Sequence, residues 1–204
     1  AMNRVGPYTK IDNVFVLMVE NHSFDNVCAF SGIPGITAAT CANTNSYDNV
    51  SYAAGSPAAP AMPNDPGHEF PDVVEQLCGP GAVHTPWLPY NQPIVNTGFV
   101  ANYATTTTEI TKNNPNLPTP AEYGDVMLCL DTPSEAPVLY QLATTFAVCD
   151  QWHSSIPGPT WPNRFFVHGA SSAGWTDGPT TAQMVKWETP GFGFTYPSGS
   201  SIYD

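Results

Sequence analysis

From Asp12 to Glu20 the chain reads D-N-V-F-V-L-M-V-E, an unbroken apolar and β-branched run closed at both ends by polar residues. It lacks the alternation of a strand with one wet face, so it predicts a strand buried on both faces, as in a parallel sheet. Asn21-His22-Ser23-Phe24-Asp25 comes next, with Ser23 placed to cap a short helix. From Ser31 to about Pro120 periodicity gives way to turn signals: Ala-Pro repeats at 57–63, Pro-Gly at 66–67 and 80–81, and four threonines at 105–108. This stretch predicts a long, partly ordered loop layer with one short helix near Asp72–Leu77. Helical spacing returns at Glu135–Thr145 through Val138, Leu139, Leu142 and Ala143, and Phe146–Cys149 predicts a second short buried strand. The Pro157-Gly158-Pro159 turn leads into a helix from Trp161 to about Gly169, with Pro162 tolerated in its first turn. Helices alternating with apolar strands place the chain in the α/β class. There is no internal repeat.

Composition narrows the function classes. Five Lys and Arg stand against 17 Asp and Glu, a formal charge of −12. That field repels phosphate backbones and anionic membranes, which excludes a nucleic-acid partner bound through a basic patch. A small phosphorylated substrate stays possible, because a bound cation reverses the local potential. No run of apolar residues is long enough for a transmembrane segment. Charged residues make up only 11% of the chain; polar surface must come from Asn, Ser, Thr and Gln, which suits a secreted or extracellular protein. No basic and apolar leader precedes this composition, so a secreted chain would have lost its signal before residue 1. In an oxidising compartment the five cysteines would form two bridges, taken as Cys28–Cys41 and Cys78–Cys129, leaving Cys149 as a buried free thiol. The sequon Asn49-Val50-Ser51 suits a glycoprotein.

Two polar clusters sit at the ends of the predicted strands, where open α/β sheets build their sites. Glu20 and Asn21 offer a carboxylate and an amide carbonyl side by side, hard oxygen donors suited to a divalent cation. The same pair also serves as an ordinary turn device. Thr160 falls at a helix N-terminus, where free N–H groups and the dipole favour an anion, and Asn163 lies on the same face. Read alone, Thr160 is equally an N-cap. His68, in Asp65-Pro66-Gly67-His68-Glu69-Phe70, is a loop histidine of a kind usually found on the surface.

Taken together, these segments carry more. Val19-Glu20-Asn21-His22-Ser23-Phe24-Asp25 resembles an ENxSFD signature and Asp65-Pro66-Gly67-His68 a DPGH element. Leu142-Ala143 through Asp150 resembles the stretch that precedes a nucleophile, and Gly158-Pro159-Thr160-Trp161-Pro162-Asn163-Arg164 resembles a GPTxPNR motif. Motifs of this form and order belong to the phosphoesterase family of bacterial and fungal phospholipases C and acid phosphatases. The ending Ser201-Ile202-Tyr203-Asp204 is similar to the start of that family's next helix.

The resemblance implies an alkaline-phosphatase-like sheet with helices on both faces, incomplete in this chain. Residues 1–204 would form the N-terminal part of a single phosphoesterase domain, with about 31–120 as a loop-rich insertion. Glu20, Asn21 and Thr160 would hold a divalent metal ion, and Thr160 would attack phosphorus. His68 and Asn163 would hydrogen-bond the phosphoryl oxygens. A pair of aspartate ligands lies beyond the equivalent of Asp204 in the family, so a second chain or a C-terminal segment is expected to supply it. The implied function is hydrolysis of phosphoric esters through a phosphothreonine. The acidic composition favours an acid phosphatase over a phospholipase C acting on phospholipid head groups. A secreted non-catalytic homologue is the alternative from another class, and the joint presence of Glu20, Asn21, Thr160 and Asn163 argues against it. His22 stands where the family has Arg, and Asn26-Val27-Cys28 replaces a His-aromatic-aromatic run, departures that bear on substrate preference.

Overall fold

The computed structural model describes residues 13–84, 92–111 and 115–189. In chain order it contains α1 (Phe24–Cys28), the strands β1 (Thr44–Tyr47) and β2 (Val50–Ala53), α2 (Phe70–Cys78) and α3 (Phe99–Thr105). A 3₁₀ turn (Tyr123–Met127), α4 (Thr132–Glu135), α5 (Pro137–Thr145), α6 (Thr160–Gly169) and α7 (Thr181–Glu188) follow. Several starts have local causes that the sequence announces. The Ser23 hydroxyl accepts from the Asn26 amide at 3.1 Å to cap α1, and Thr180 and Gln183 form a reciprocal capping box on α7.

The buried core lies where the pattern predicted a loop layer. Val74 on α2 and Val100 on α3 are both 0% exposed, and Ala101, Tyr103 and Ala104 on α3 are buried beside them. The two helices meet through Gly98: a Cβ there would lie 1.9 Å from the Glu75 carbonyl oxygen, so no larger residue fits that approach. Asn45 on β1 ties the hairpin to α3, accepting from the Phe99 amide at 2.9 Å and donating to the Asn96 carbonyl at 3.0 Å. The hairpin turns at Asp48-Asn49, both at positive φ, residue types that tolerate this conformation in two-residue turns. This places Asn49 of the sequon at an exposed turn tip.

The described architecture is thus helical with one small antiparallel sheet, in the register Thr44↔Ala53 to Tyr47↔Val50. Neither predicted buried strand forms. Residues 13–20 take no regular structure, with Phe15 94% and Leu17 88% exposed; Asp12 lies outside the described residues. A central strand must have its N–H and C=O groups taken up by neighbours on both sides. Among the described residues the single sheet is the β1–β2 hairpin, and residues 13–20 do not pair with it. Phe146–Cys149 is irregular and Phe146 is exposed for the same reason. Cys149 is exposed, which overturns its reading as a buried thiol.

None of the five cysteines is bridged, against both expected pairings. Backbone bonds lace α1 to the 128–132 segment, with Leu130 N donating to Asn26 O at 2.8 Å. Burial and the nearby Asp25 carboxylate push the Cys28 thiol up, and the same two causes push Cys129 up to about 11. Both therefore favour the protonated thiol, the form that does not attack sulfur.

Candidate functional site

Helix α6 opens at Thr160, with Pro159 as N-cap and no side-chain cap bond. Thr160 is thus the first helical residue and not the cap, and it sits half-buried at the helix start. Asn163, one turn on, is committed to the preceding turn. Its Nδ2 donates to the carbonyls of Ile156 (3.2 Å), Gly158 (3.2 Å) and Pro159 (3.1 Å), and its Oδ1 accepts from the Ile156 amide at 3.2 Å. In this geometry Asn163 fixes the turn that presents Thr160. Phe165, buried on the other face of α6, packs on Trp161 and Trp187 with ring centroids 5.9 and 6.0 Å apart.

The same helix reaches the first cluster. Arg164 donates from Nε (3.2 Å) and Nη2 (2.7 Å) to Glu20 Oε2. Both partners are partly exposed, so a pair of this kind contributes only about 0–1 kcal/mol; its consequence is geometric, tying Glu20 to the Thr160 helix. Asn21 beside it adopts a φ of +88°, a backbone conformation uncommon outside glycine that Asn tolerates better than most residues.

The His68 loop approaches from α2. A Cβ on Gly158 would lie 3.6 Å from Phe70, and the Gly178 amide donates to Glu69 Oε2 at 3.2 Å. The Asp65–His68 element therefore runs into a helix whose first residue, Phe70, lies beside the turn before Thr160. His68 Nδ1 lies 3.1 Å from Glu109 Oε1 and 3.3 Å from the Pro66 carbonyl. Burial pushes the Glu109 carboxyl up, with Asp72 and Asp65 adding to the effect, while His68 pulls it down without cancelling the rise.

Beneath this loop lies a network that sequence reasoning missed. Asp72, buried on α2, accepts from Asn102 Nδ2 (3.0 Å) and Thr106 Oγ1 (2.6 Å) on Oδ1 and from Thr108 Oγ1 (2.8 Å) on Oδ2. An acidic residue in a helix's first turn reads as a response to the dipole, and a threonine run reads as loop, so neither announces a buried cluster. An open recess lined by Asp72, Glu75, Asn102, Thr106 and Thr108 lies against this network and does not include Thr160.

Glu20, Asn21 and Thr160 are all oxygen donors, the set a hard divalent cation takes. Among the described residues no group of three or more His, Cys, Asp or Glu is gathered to hold a metal. The donors fit such an ion in kind, and all three belong to the two segments joined by the Arg164–Glu20 pair. No described helix is long and apolar enough to cross a membrane.

Comparison with known proteins finds relatives among phospholipases C. Non-specific phospholipase C6 of Arabidopsis thaliana is 32% identical over 173 residues, covering 81% of this chain and 29% of the relative. Non-specific phospholipase C3 of the same plant is 31% identical, covering 80% and 30%. Phospholipase C A of Mycobacterium tuberculosis is 30% identical over 206 residues, covering 92% and 34%. The chain thus spans about a third of the length of the curated relatives it matches. The Phosphoesterase family profile matches residues 11–194, a span that includes both polar clusters and the His68 loop, and the chain belongs to that family.

Proposed function

We propose that the protein carrying this chain is a metal-dependent hydrolase of phosphoric esters that acts through a phosphothreonine at Thr160. The observation that carries the reading is the gathering of the clusters around one helix start. Arg164 donates to Glu20, a Cβ on Gly158 would lie 3.6 Å from Phe70, and Thr160 follows Gly158 by two residues. The fold that goes with this reading is an alkaline-phosphatase-like sheet, with the exposed apolar run at 13–20 as a strand paired by the remainder of the domain. Its support is the apolar exposure of that run and the share of the relatives' length that this chain spans.

In this reaction the Thr160 oxygen attacks phosphorus and forms the Oγ–P bond. The P–O bond to the leaving alcohol breaks, the alcohol takes a proton, and water then cleaves Oγ–P to release the phosphate product and restore the hydroxyl. A divalent cation held by Glu20, Asn21 and Thr160 would supply Lewis-acid charge neutralisation. His68 would donate to a phosphoryl oxygen, and the N-terminus of α6 would place its free amides toward the same charge. Asn163 would hold the turn, and donate to phosphate only by exchanging one of its three carbonyl partners.

The printed names of the plant and mycobacterial relatives shift the substrate preference. Phospholipid head-group hydrolysis now leads, and the acid phosphatase suggested by composition is the second reading. Turnover of p-nitrophenyl phosphorylcholine by the natural enzyme, exceeding that of p-nitrophenyl phosphate, is the expected result; the reverse order selects the phosphatase. Chelation should abolish either activity and a divalent cation restore it, and acid-quenched enzyme should carry the substrate's phosphoryl group on Thr160. Turnover undiminished by chelation, with no adduct on Thr160, overturns the mechanism. Export from the cell belongs to the same proposal, its support being the low charge content and the acidic balance, and recovery of the protein from the culture medium of its host tests it.

A further inference from the structure

The hydrogen bonds behind His68 have a direction. Its ring nitrogen Nδ1 faces the Glu109 carboxylate at 3.1 Å, and the Glu109 side chain is only 15% exposed against 54% for His68. Thr108, next to Glu109, anchors that segment by donating to the buried Asp72. The loop on the other side is held as tightly. Gln76 Nε2 donates to the Gly67 carbonyl at 2.5 Å and to Asn102 Oδ1 at 2.9 Å. A Cβ on Gly67 would lie 2.5 Å from the Asp72 carboxylate and 2.8 Å from Asn102 Oδ1, so the glycine lets the loop rest directly on the network. One end of the imidazole thus meets a carboxylate fixed from beneath, with the Pro66 carbonyl 3.3 Å from the same nitrogen.

Resting on the function proposed above, we infer that Glu109 is a positioning residue for His68: it holds the Nδ1 proton and so presents Nε2 to the phosphoryl group. Asp72, Thr108, Asn102 and Gln76 form the platform that fixes both partners. A histidine fixed through one nitrogen has its ring plane and tautomer set by that bond. When the ring is protonated both nitrogens donate, Nδ1–H to Glu109 and Nε2–H to a phosphoryl oxygen. The acidic group in direct contact with the ring is Glu109, and Asp72 and Asp65 act on the Glu109 carboxyl in turn. The bond therefore acts through orientation. Its loss should lower kcat and leave KM within about twofold, because removal of such supporting partners typically costs about 10- to 100-fold in activity.

The test uses the full chain labelled with 15N-histidine, with Glu109→Gln, Glu109→Ala and Glu109→Asp variants. The neutral His68 ring should carry its proton on Nδ1 in the unaltered protein, shown by its two ring 15N shifts, and move to the Nε2–H form in Glu109→Ala. Glu109→Gln, which keeps shape and one acceptor, should retain part of the Nδ1–H form, and Glu109→Asp should restore part of kcat. A predominantly Nε2–H ring in the unaltered protein, or a kcat unchanged in Glu109→Ala, overturns the inference. The spectroscopic arm needs no turnover, so an enzyme inactive on every phosphoric ester refutes the function, while an unmoved tautomer refutes the role of Glu109. Far-ultraviolet circular dichroism checks each variant for folding, and Glu109→Gln carries the test if Glu109→Ala unfolds.

Discussion

Two regions of this chain treat apolar residues in opposite ways. Around α2, α3 and the hairpin, small side chains such as Val74, Val100, Ala101 and Ala104 are fully or nearly fully buried. Along 13–20 and at Phe146 apolar side chains stay in water: Phe15, Leu17 and Phe146 are all strongly exposed. Hydrophobicity alone does not explain the division, since the exposed run is the more apolar of the two. What differs is whether neighbours exist to take up backbone polar groups. Helices satisfy their own N–H and C=O groups and pack through side chains alone, whereas a two-faced strand becomes part of a core only inside a sheet. The turn-rich stretch, with two short helices and a close Gly98–Glu75 approach, therefore carries the core, and the apolar run beside the candidate site does not.

The site sits between these regions, and this comparison can be broken most sharply there. Thr160→Ala should lower turnover by about 10³-fold or more, since a covalent nucleophile has no substitute, while the thermal midpoint stays within a few degrees. A variant with full activity would remove Thr160 from the chemistry, and one that unfolds would place α6 in the stabilising core. Next in size is a pair of truncations, compared by urea unfolding. Val74→Ala removes fully buried methyl groups and should cost about 2 kcal/mol; Leu17→Ala should stay within about 0.5 kcal/mol, as exposed substitutions do. Equal costs would show that 13–20 is covered in solution.

The smallest effect is a pH dependence. Burial, with Asp125 the next contributor, pushes the Tyr103 phenol up from its ordinary 10 to about 12. Because the folded value lies above the unfolded one, Tyr103 favours the folded chain below pH 10, and that contribution is lost as pH rises through about 12. Tyr103→Phe should remove this alkaline loss. At neutral pH it should cost about 1 kcal/mol or less, because the hydrogen bond to the Asn64 carbonyl is long, 3.4 Å. An unfolding curve equally alkali-sensitive in both proteins would assign the loss to other groups.

Local signals were legible in proportion to how local their physics is. Ser23 as a cap, the helix near Asp72–Leu77 and the helix after Pro159 needed only residues a turn apart, and each formed within a residue or two of its expected place. The hairpin too has a local cause: Asp48-Asn49 is a two-residue turn whose residue types accept positive φ. The Asp72–Asn102–Thr106–Thr108 network was not legible, since its members lie up to 36 residues apart and none is unusual in its own segment. Cysteine pairing was not legible for a related reason: spacing fixes which loops could close, while a backbone bond from the Cys129 amide to the distant Gly55 carbonyl helps decide where Cys129 sits.

By itself the sequence determined the family, through ordered motifs whose residue types are set by chemistry: oxygen donors at Glu20-Asn21, a hydroxyl at a helix start at Thr160, a glycine before His68. It also determined the short helices, whose hydrogen bonds close within four residues. Only the tertiary structure decided that the turn-rich stretch holds the core, that Arg164 draws Glu20 to the Thr160 helix, and that Glu109 stands behind His68. Each of these depends on which distant segments meet, and that is settled by packing and by the pairing of buried polar groups across the whole chain.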